Sequence, residues 1–262
     1  MTPFTPRSAM TRFGIFARNI AQLLDFVVGR TGGEYGAGMV TKLILLRRIR
    51  RNSRHRGSAS SFMEQVQLVE AILNLPRSTS GVVAEFGAFK GMSSATLSLA
   101  CAITKRRLIV FDSFEGLPTP EEVRDIVDGH PLPYEKGGYC GTLDEVKANI
   151  RAFGRIEVCE FVKGFYSDTL ASRNSEERYA FVFEDADLPS SVRDVVRYVW
   201  TRLQPGCPFF CHEARDFDVV AIFFDSAWWE NHVGCRAPGL VASGMGVELS
   251  ASGSSLCYAV KQ

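Results

Sequence analysis

The stretch VVAEFGAFKGMSSATLSLAC, residues 82–101, constrains this chain more than any other, because it reads as a strand, a glycine-bearing loop and a helix in succession. Val82, Val83 and Ala84 form a short apolar run, Gly87 and Gly91 bracket the loop, and Ser93 and Ser94 stand where the helix begins. This is the opening βα unit of a nucleotide-binding fold. Glycines let the backbone turn sharply and approach a ligand, and free N–H groups at the helix start attract a phosphate or a carboxylate. The spacing of Glu85, Gly87 and Gly91 matches neither GxGxxG nor GxxxxGK[ST]. The following RRLIVFDSF supplies a second strand ending in Asp112, from which an acidic side chain can accept hydrogen bonds from ribose hydroxyls. Together these point to a nucleoside ligand without a pyrophosphate. S-adenosylmethionine meets that description, with its ribose on Asp112 beside Ser113. Its methionine carboxylate and ammonium would enter the 87–94 loop, supported by Glu85. The bland alternative is a turn that needs glycine only for packing.

The second strand continues as FDSFEGLP, residues 111–118, the least common string in the chain. Three further strings accompany it: the loop from Glu85 to Ser93, VKGFYSDTL at 162–170 and DADL at 185–188. In this order the four motifs resemble the macrocin O-methyltransferase (TylF and MycF) family. The resemblance implies a class I methyltransferase fold, S-adenosylmethionine as methyl donor, and methylation of a hydroxyl, typically on a sugar of a secondary metabolite. It also implies a divalent ion between the first Asp of DADL and an acidic pair after the next strand, and a homo-oligomer assembled through N-terminal regions. Where that Asp-Asp pair would fall, this chain has His212 and Glu213. The carried-over metal ligands are therefore Asp185, His212 and Glu213. Imidazole shifts the preference from magnesium toward manganese, iron or zinc, and a chain that has lost the metal is the alternative.

The 262 residues, 46% of them hydrophobic, suffice for one sizeable core. The expected division is an accessory segment at 1–60 and a catalytic domain at 61–262. A net charge of +1 favours neither nucleic acid nor acidic partners. Seven cysteines without a CxxC pair read as buried thiols of a reduced, cytoplasmic protein. Cys207 and Cys211 lie about 13 Å apart along a strand, too far to share one ion. No uninterrupted apolar stretch of membrane-spanning length is present.

Phe13, Phe16, Ile20, Leu23, Leu24 and Val27 recur at helical spacing, a stripe expected to lie on the core. Between Glu34 and Glu64 there is no acid, while Lys42, Arg47, Arg48, Arg50, Arg51, Arg54 and Arg56 cluster. The run suits an anionic membrane surface or an acidic glycolipid acceptor, or is a solvated helix face. Its lack of aromatic residues argues against single-stranded nucleic acid. Ser61 and Glu64 form a capping box for a helix whose apolar face leads into the first strand, and Thr142 with Glu145 repeats that spacing later. TPEEVRDIVDG predicts a short helix, and HPLPYEKGGYCG an irregular loop that brings His130, Tyr134 and Lys136 toward the acceptor.

YAFVFEDAD predicts a buried parallel strand delivering Glu184, Asp185 and Asp187 to the sheet edge, where like charges call for a cation or a hydroxyl donor. Asp187 is expected to cap the next helix. Methyl transfer to a hydroxyl needs a base or a metal. His130 is the first candidate, since histidine titrates near neutral pH; Asp185 competes, and His232 is a third option. FDVVAIFFDSAWWENH reads as one helix packing Val220, Phe223 and Phe224 on the sheet, and GVELSASGSSLCYAVK as a closing hairpin. The whole predicts an α/β, Rossmann-like class I methyltransferase: a mostly parallel seven-stranded sheet, helices on both faces and an N-terminal helical cap. The expected function is O-methylation of a sugar or other polyhydroxylated small molecule, with a catalytically inactive cofactor-binding relative as the alternative.

Overall fold

The structure is a computed structural model that describes residues 9–120, 126–127, 130–131, 134–173, 176–242 and 255–262. The chain begins with helices α1 (Ala9–Val28), α2 (Met39–Ser53) and α3 (Phe62–Leu73). It then alternates through β1 (Val82–Phe86), α4 (Met92–Thr104), β2 (Leu108–Asp112), β3 (Ile126–Val127), β4 (His130–Pro131) and α5 (Leu143–Phe153). It continues with β5 (Cys159–Lys163), α6 (Tyr166–Ser172), β6 (Tyr179–Glu184), α7 (Pro189–Val199), β7 (Pro208–Cys211), α8 (Phe217–Ile222) and α9 (Ser226–His232), and closes with β8 (Val241–Ala242) and β9 (Cys257–Val260).

The apolar runs pair as a seven-stranded sheet in the order β5-β2-β1-β6-β7-β9-β8, parallel from β5 to β7, with β9 antiparallel to both its neighbours. This is the expected doubly wound architecture. The chain moves outward from β1 to β2 to β5, then returns to place β6 on the other side of β1. Right-handed crossovers then put α4 and α5 on one face and α6 and α7 on the opposite one. Strands covered on both faces need no polar side, and every residue of β6 is buried. Phe86 of β1 stacks on Phe111 of β2 at 4.5 Å between ring centres. Phe26, Leu45 and Ile49 of the N-terminal helices join the same apolar cluster as the sheet.

Both capping predictions hold. Ser61 accepts from the Glu64 N–H while Glu64 reaches back to the Ser61 N–H, and the Thr142 hydroxyl accepts from the Glu145 N–H. Four local expectations change. The α1 stripe is split: Leu23 and Val27 pack against the core, whereas Phe16, Ile20 and Leu24 face solvent; Phe26, outside the stripe, is fully buried. Within TPEEVRDIVDG, Ile126–Val127 is a strand paired with His130–Pro131, with residues 121–125 outside the described chain. FDVVAIFFDSAWWENH is two helices, because Asp225 accepts from the Trp228 N–H and starts a new one; Phe224 is exposed and Trp229 takes the core position. The closing pair exists, but its first strand is Val241–Ala242, and the GVELS segment lies outside the described residues.

Gly87 is a position where the fold tolerates no side chain. Its φ is +89°, and a Cβ there would lie 1.9 Å from the Asp185 carbonyl oxygen. A left-handed backbone alone costs an L-residue about 1–2 kcal/mol, and the collision adds to it. Gly87→Ala is expected to destabilise the fold by more than about 2 kcal/mol, seen as a lower denaturant midpoint. An unchanged midpoint would show that β1 and β6 can separate freely here.

Candidate active site

The strand order reverses between β1 and β6, so the loops leaving them diverge and open a crevice at the carboxyl ends. A cavity of about 380 Å³ occupies it. Gly87 and Phe89 line it from β1, Asp112 and Ser113 from β2, Gly164 and Tyr166 from β5, Asp185 and Asp187 from β6, and His212 from β7. Of the predicted cofactor residues, Gly87, Asp112 and Ser113 thus line the cavity.

Glu85, Gly91, Ser93 and Ser94 do not. Glu85 is fully buried and accepts a short hydrogen bond from the Ser94 hydroxyl, which pins the first turn of α4 to β1. Burial pushes its pKa up to about 8, only partly offset by Ser93 and Ser94. Gly91 precedes α4 in a left-handed conformation against Val146. These residues shape the loop that the ligand meets.

Asp112 has two roles. Its carboxylate accepts from the Ala88 N–H and the Phe114 N–H, both at 2.6 Å, and so ties the loops after β1 and β2 together while facing the cavity. Burial raises its pKa against those hydrogen bonds. The Ser113 hydroxyl donates to the Gly116 carbonyl and accepts from the Glu115 N–H, folding the FEGLP turn.

Asp185 and Asp187, which line the same cavity, belong to an acidic cluster. Carboxylate oxygens of Asp185, Asp187 and Glu213 all lie within 4.8 Å of one another. Asp187 does not cap α7, whose N-cap is Leu188 with no side-chain bond and with Pro189 next. Instead it adopts φ 61°, its N–H donates to Glu213 at 3.2 Å, and the Tyr134 hydroxyl bonds its carboxylate. Burial, then Asp185 and Glu213, holds the Asp187 pKa well above the usual carboxylate range. Burial and Glu184 do the same for Glu213, and burial puts Glu184 at about 7. The DxD spacing could have identified Asp187, but its resemblance to a helix cap masked it.

His212 departs from the carried-over ligand set. Its Nδ1 lies 3.2 Å from Asp185 Oδ1 and its Nε2 3.6 Å from Glu64 Oε1. The latter distance is a charge contact, longer than a hydrogen bond. Burial alone would lower the imidazole pKa, but Asp185 and Glu64 raise it well above the ordinary value. Glu64 falls to about 2, since the His212 contact and the Ser61 bonds outweigh its burial. Glu64, the capping residue of α3, also accepts from the Ser255 N–H at 2.9 Å. Its approach to the site was not legible in sequence, because α3 precedes every strand. The His130 side chain lies outside the described residues, and His232 ends α9 away from the cavity lining.

The macrocin-O-methyltransferase (TylF) family matches residues 62–221, well over half of the chain. The chain belongs to that family. A curated relative from Streptomyces olivaceus, 8-demethyl-8-(2,3-dimethoxy-alpha-L-rhamnosyl)-tetracenomycin-C 4'-O-methyltransferase, is 32% identical over 131 residues. That alignment takes in 48% of this chain and 50% of the relative, so the chain spans about half the length of the curated relative it matches. Among solved structures, the O-methyltransferase NovP superposes with a TM-score of 0.63 at 15% identity, over 94% of this chain and 99% of that one. The calicheamicin methyltransferase CalS11 gives 0.58 at 15%, over 98% and 95%. These two likenesses carry the fold. They establish the Rossmann-like O-methyltransferase architecture. No described helix is long and apolar enough to cross a membrane.

The signs of the His212–Glu64 shifts define a pH window. The raised imidazole contributes stability in full below its unfolded value near 6.5, lost as pH rises through the elevated folded value. The lowered Glu64 contributes in full above 4.5, lost as pH falls through about 2. Glu64→Gln is expected to lower the pH at which His212 loses its proton, read by NMR titration of the imidazole. An unmoved titration would show that Asp185 alone holds the charge.

Proposed function

We propose that this protein is an S-adenosylmethionine-dependent O-methyltransferase acting on a hydroxyl of a sugar or other polyhydroxylated acceptor. The observation that carries the reading is one cavity lined both by a ribose-type acceptor, Asp112, and by Asp185 and Asp187 of the acidic cluster they form with Glu213. The rhamnosyl-tetracenomycin activity named for the relative supports a sugar acceptor.

Bound S-adenosylmethionine would supply a methyl carbon on its sulfonium, to be taken by the acceptor oxygen as the C–S bond breaks and S-adenosylhomocysteine is released. Asp112 orients the nucleoside end, and the Gly87 to Phe89 backbone meets the amino-acid end, the glycine permitting close approach. Asp187 accepts the acceptor proton: its carboxylate lines the cavity beside the position the acceptor would take. Tyr134 bonds Asp187 and fixes its direction. Asp185 faces His212, so its charge is partly neutralised and its role is to orient.

The three converging carboxylates fit a hard divalent cation such as magnesium or manganese, which prefers oxygen ligands. Asp185, Asp187 and Glu213 would hold it, where it would lower the pKa of a bound hydroxyl. His212, turned between Asp185 and Glu64, is outside that set, which removes the reason to favour iron or zinc.

Calorimetric titration of S-adenosylhomocysteine is expected to show binding to the wild type that is lost in Asp112→Ala. Absence of binding to the wild type would overturn the reading. With a rhamnosylated acceptor, Asp187→Asn is expected to lower the turnover rate by about 10²–10⁴-fold while leaving S-adenosylhomocysteine affinity intact. Full turnover in that variant would remove Asp187 from the proton transfer. Loss of activity on chelation, restored by magnesium, would establish the cation, and indifference to chelation would exclude it. A wild type that binds the cofactor without turning over any polyhydroxylated acceptor would favour the inactive relative.

A further inference from the structure

One face of α2 is divided along its length, apolar in its first half and basic in its second. At 100° per residue, Met39, Val40, Leu43 and Ile44 fall on the same side as Arg47, Arg50, Arg51 and Arg54. Its other side, carrying Leu45, Ile49 and Asn52, is buried against α3 and α4. All eight side chains of the first side are exposed, Val40 to 71% and the other three apolar ones to more than half. The neighbouring α1 leaves Phe16, Ile20, Leu24 and Val28 in solvent as well. Contiguous apolar exposure on this scale marks an interaction surface.

We infer that this face docks on an anionic phospholipid bilayer. Charge decides the partner. Among the described residues no carboxylate pairs with Arg47, Arg50, Arg54 or Arg56, and no acid occurs between Glu34 and Glu64. Other arginines of the same helix are committed elsewhere, Arg48 to the Phe153 and Gly154 carbonyls and Arg51 to the Ala152 carbonyl and the Phe153 ring. Arg47 and Arg50 of α2 and Arg54 just past its end are thus three uncommitted cations beside an exposed apolar row, the composition of a helix that lies in a membrane interface. A second copy fits less well, because a two-fold contact sets the same patch against itself and offers the arginines no opposite charge.

The docking does not depend on the methyltransferase reading. Its consequence for substrate choice does rest on that reading. Ala59, five residues beyond Arg54, lines the cavity, so the basic end of α2 leads directly to the cavity rim. A protein held by this face would meet an acceptor hydroxyl carried on a lipid-anchored molecule.

The test is co-sedimentation of the full chain with phosphatidylglycerol–phosphatidylcholine vesicles and with phosphatidylcholine vesicles alone. Binding is expected only to the anionic vesicles, weakening as salt is added. The double variant Arg47→Glu with Arg50→Glu is expected to bind at least about tenfold more weakly. Leu43→Ser with Ile44→Ser should also weaken binding, whereas Lys105→Glu, at the far end of α4, should not. All of these side chains are exposed, so unchanged thermal unfolding is expected to accompany the loss. Equal binding to both vesicle types, or no binding to either, would overturn the inference. So would a dimer by light scattering that Leu43→Ser with Ile44→Ser converts to monomer, since that assigns the face to a second copy. A wild type that binds vesicles but not S-adenosylhomocysteine would leave the docking standing and remove the methyltransferase reading.

Discussion

The arrangement depends on how three parallel strands end. At the close of β1 the Phe86 carbonyl accepts from the Asp185 N–H at 2.8 Å, and the Gly87 N–H donates to the Phe111 carbonyl at 3.0 Å. The backbones of β1, β2 and β6 are therefore tied together up to the last residue before they part. Asp112 extends the tie by one residue, holding the Ala88 and Phe114 amides. Beyond this point β2 and β6 lead to opposite faces of the sheet, and the crevice is the space they leave. Only glycine fits at the junction, because the Asp185 main chain occupies the place of a side chain at residue 87.

That geometry has an electrostatic consequence. Glu184, Asp185, Asp187 and Glu213 come from two neighbouring strand ends and cannot all ionise at short range without a counter-charge. The protein answers in two ways. The deepest members, Glu184 and Glu213, move toward the protonated form, while Asp185 receives the His212 imidazolium. The imidazolium is in turn held by Glu64, which keeps its own charge because it also satisfies the start of α3. A helix cap in the N-terminal region thus contributes to the charge balance of a site built by the sheet. The acids left facing the cavity are those whose charge a substrate hydroxyl, a cation or a proton can still relieve.

Much of this was legible in the chain. Short apolar runs bounded by glycine and acids give the parallel strands and their order of delivery, since period and composition are local properties. Asp112 and Asp185 stand at strand ends in the sequence, and they line the cavity in the fold. The capping box at Ser61 and the N-cap at Thr142 both formed, because a cap needs only four consecutive residues. The errors have equally physical causes. Phe16, Ile20 and Leu24 have helical spacing, but spacing does not say which side of an apolar helix meets the core. Glu85 and Ser94, expected at the ligand loop, join a strand to its helix behind the cavity lining.

The sequence by itself determined the alternation of strands and helices, the family motifs and the residues at each strand end, all of which follow from neighbours in the chain. Only the tertiary structure decided that Asp187 rather than His212 completes the acidic cluster, and that Glu64 reaches the site. Those outcomes depend on which side chains converge when β6, β7 and α3 pack. Glu64 and His212 are far apart in sequence, and nothing local to either encodes a distance of 3.6 Å between them. The partner of an ionised group is chosen by where burial leaves it the fewest alternatives.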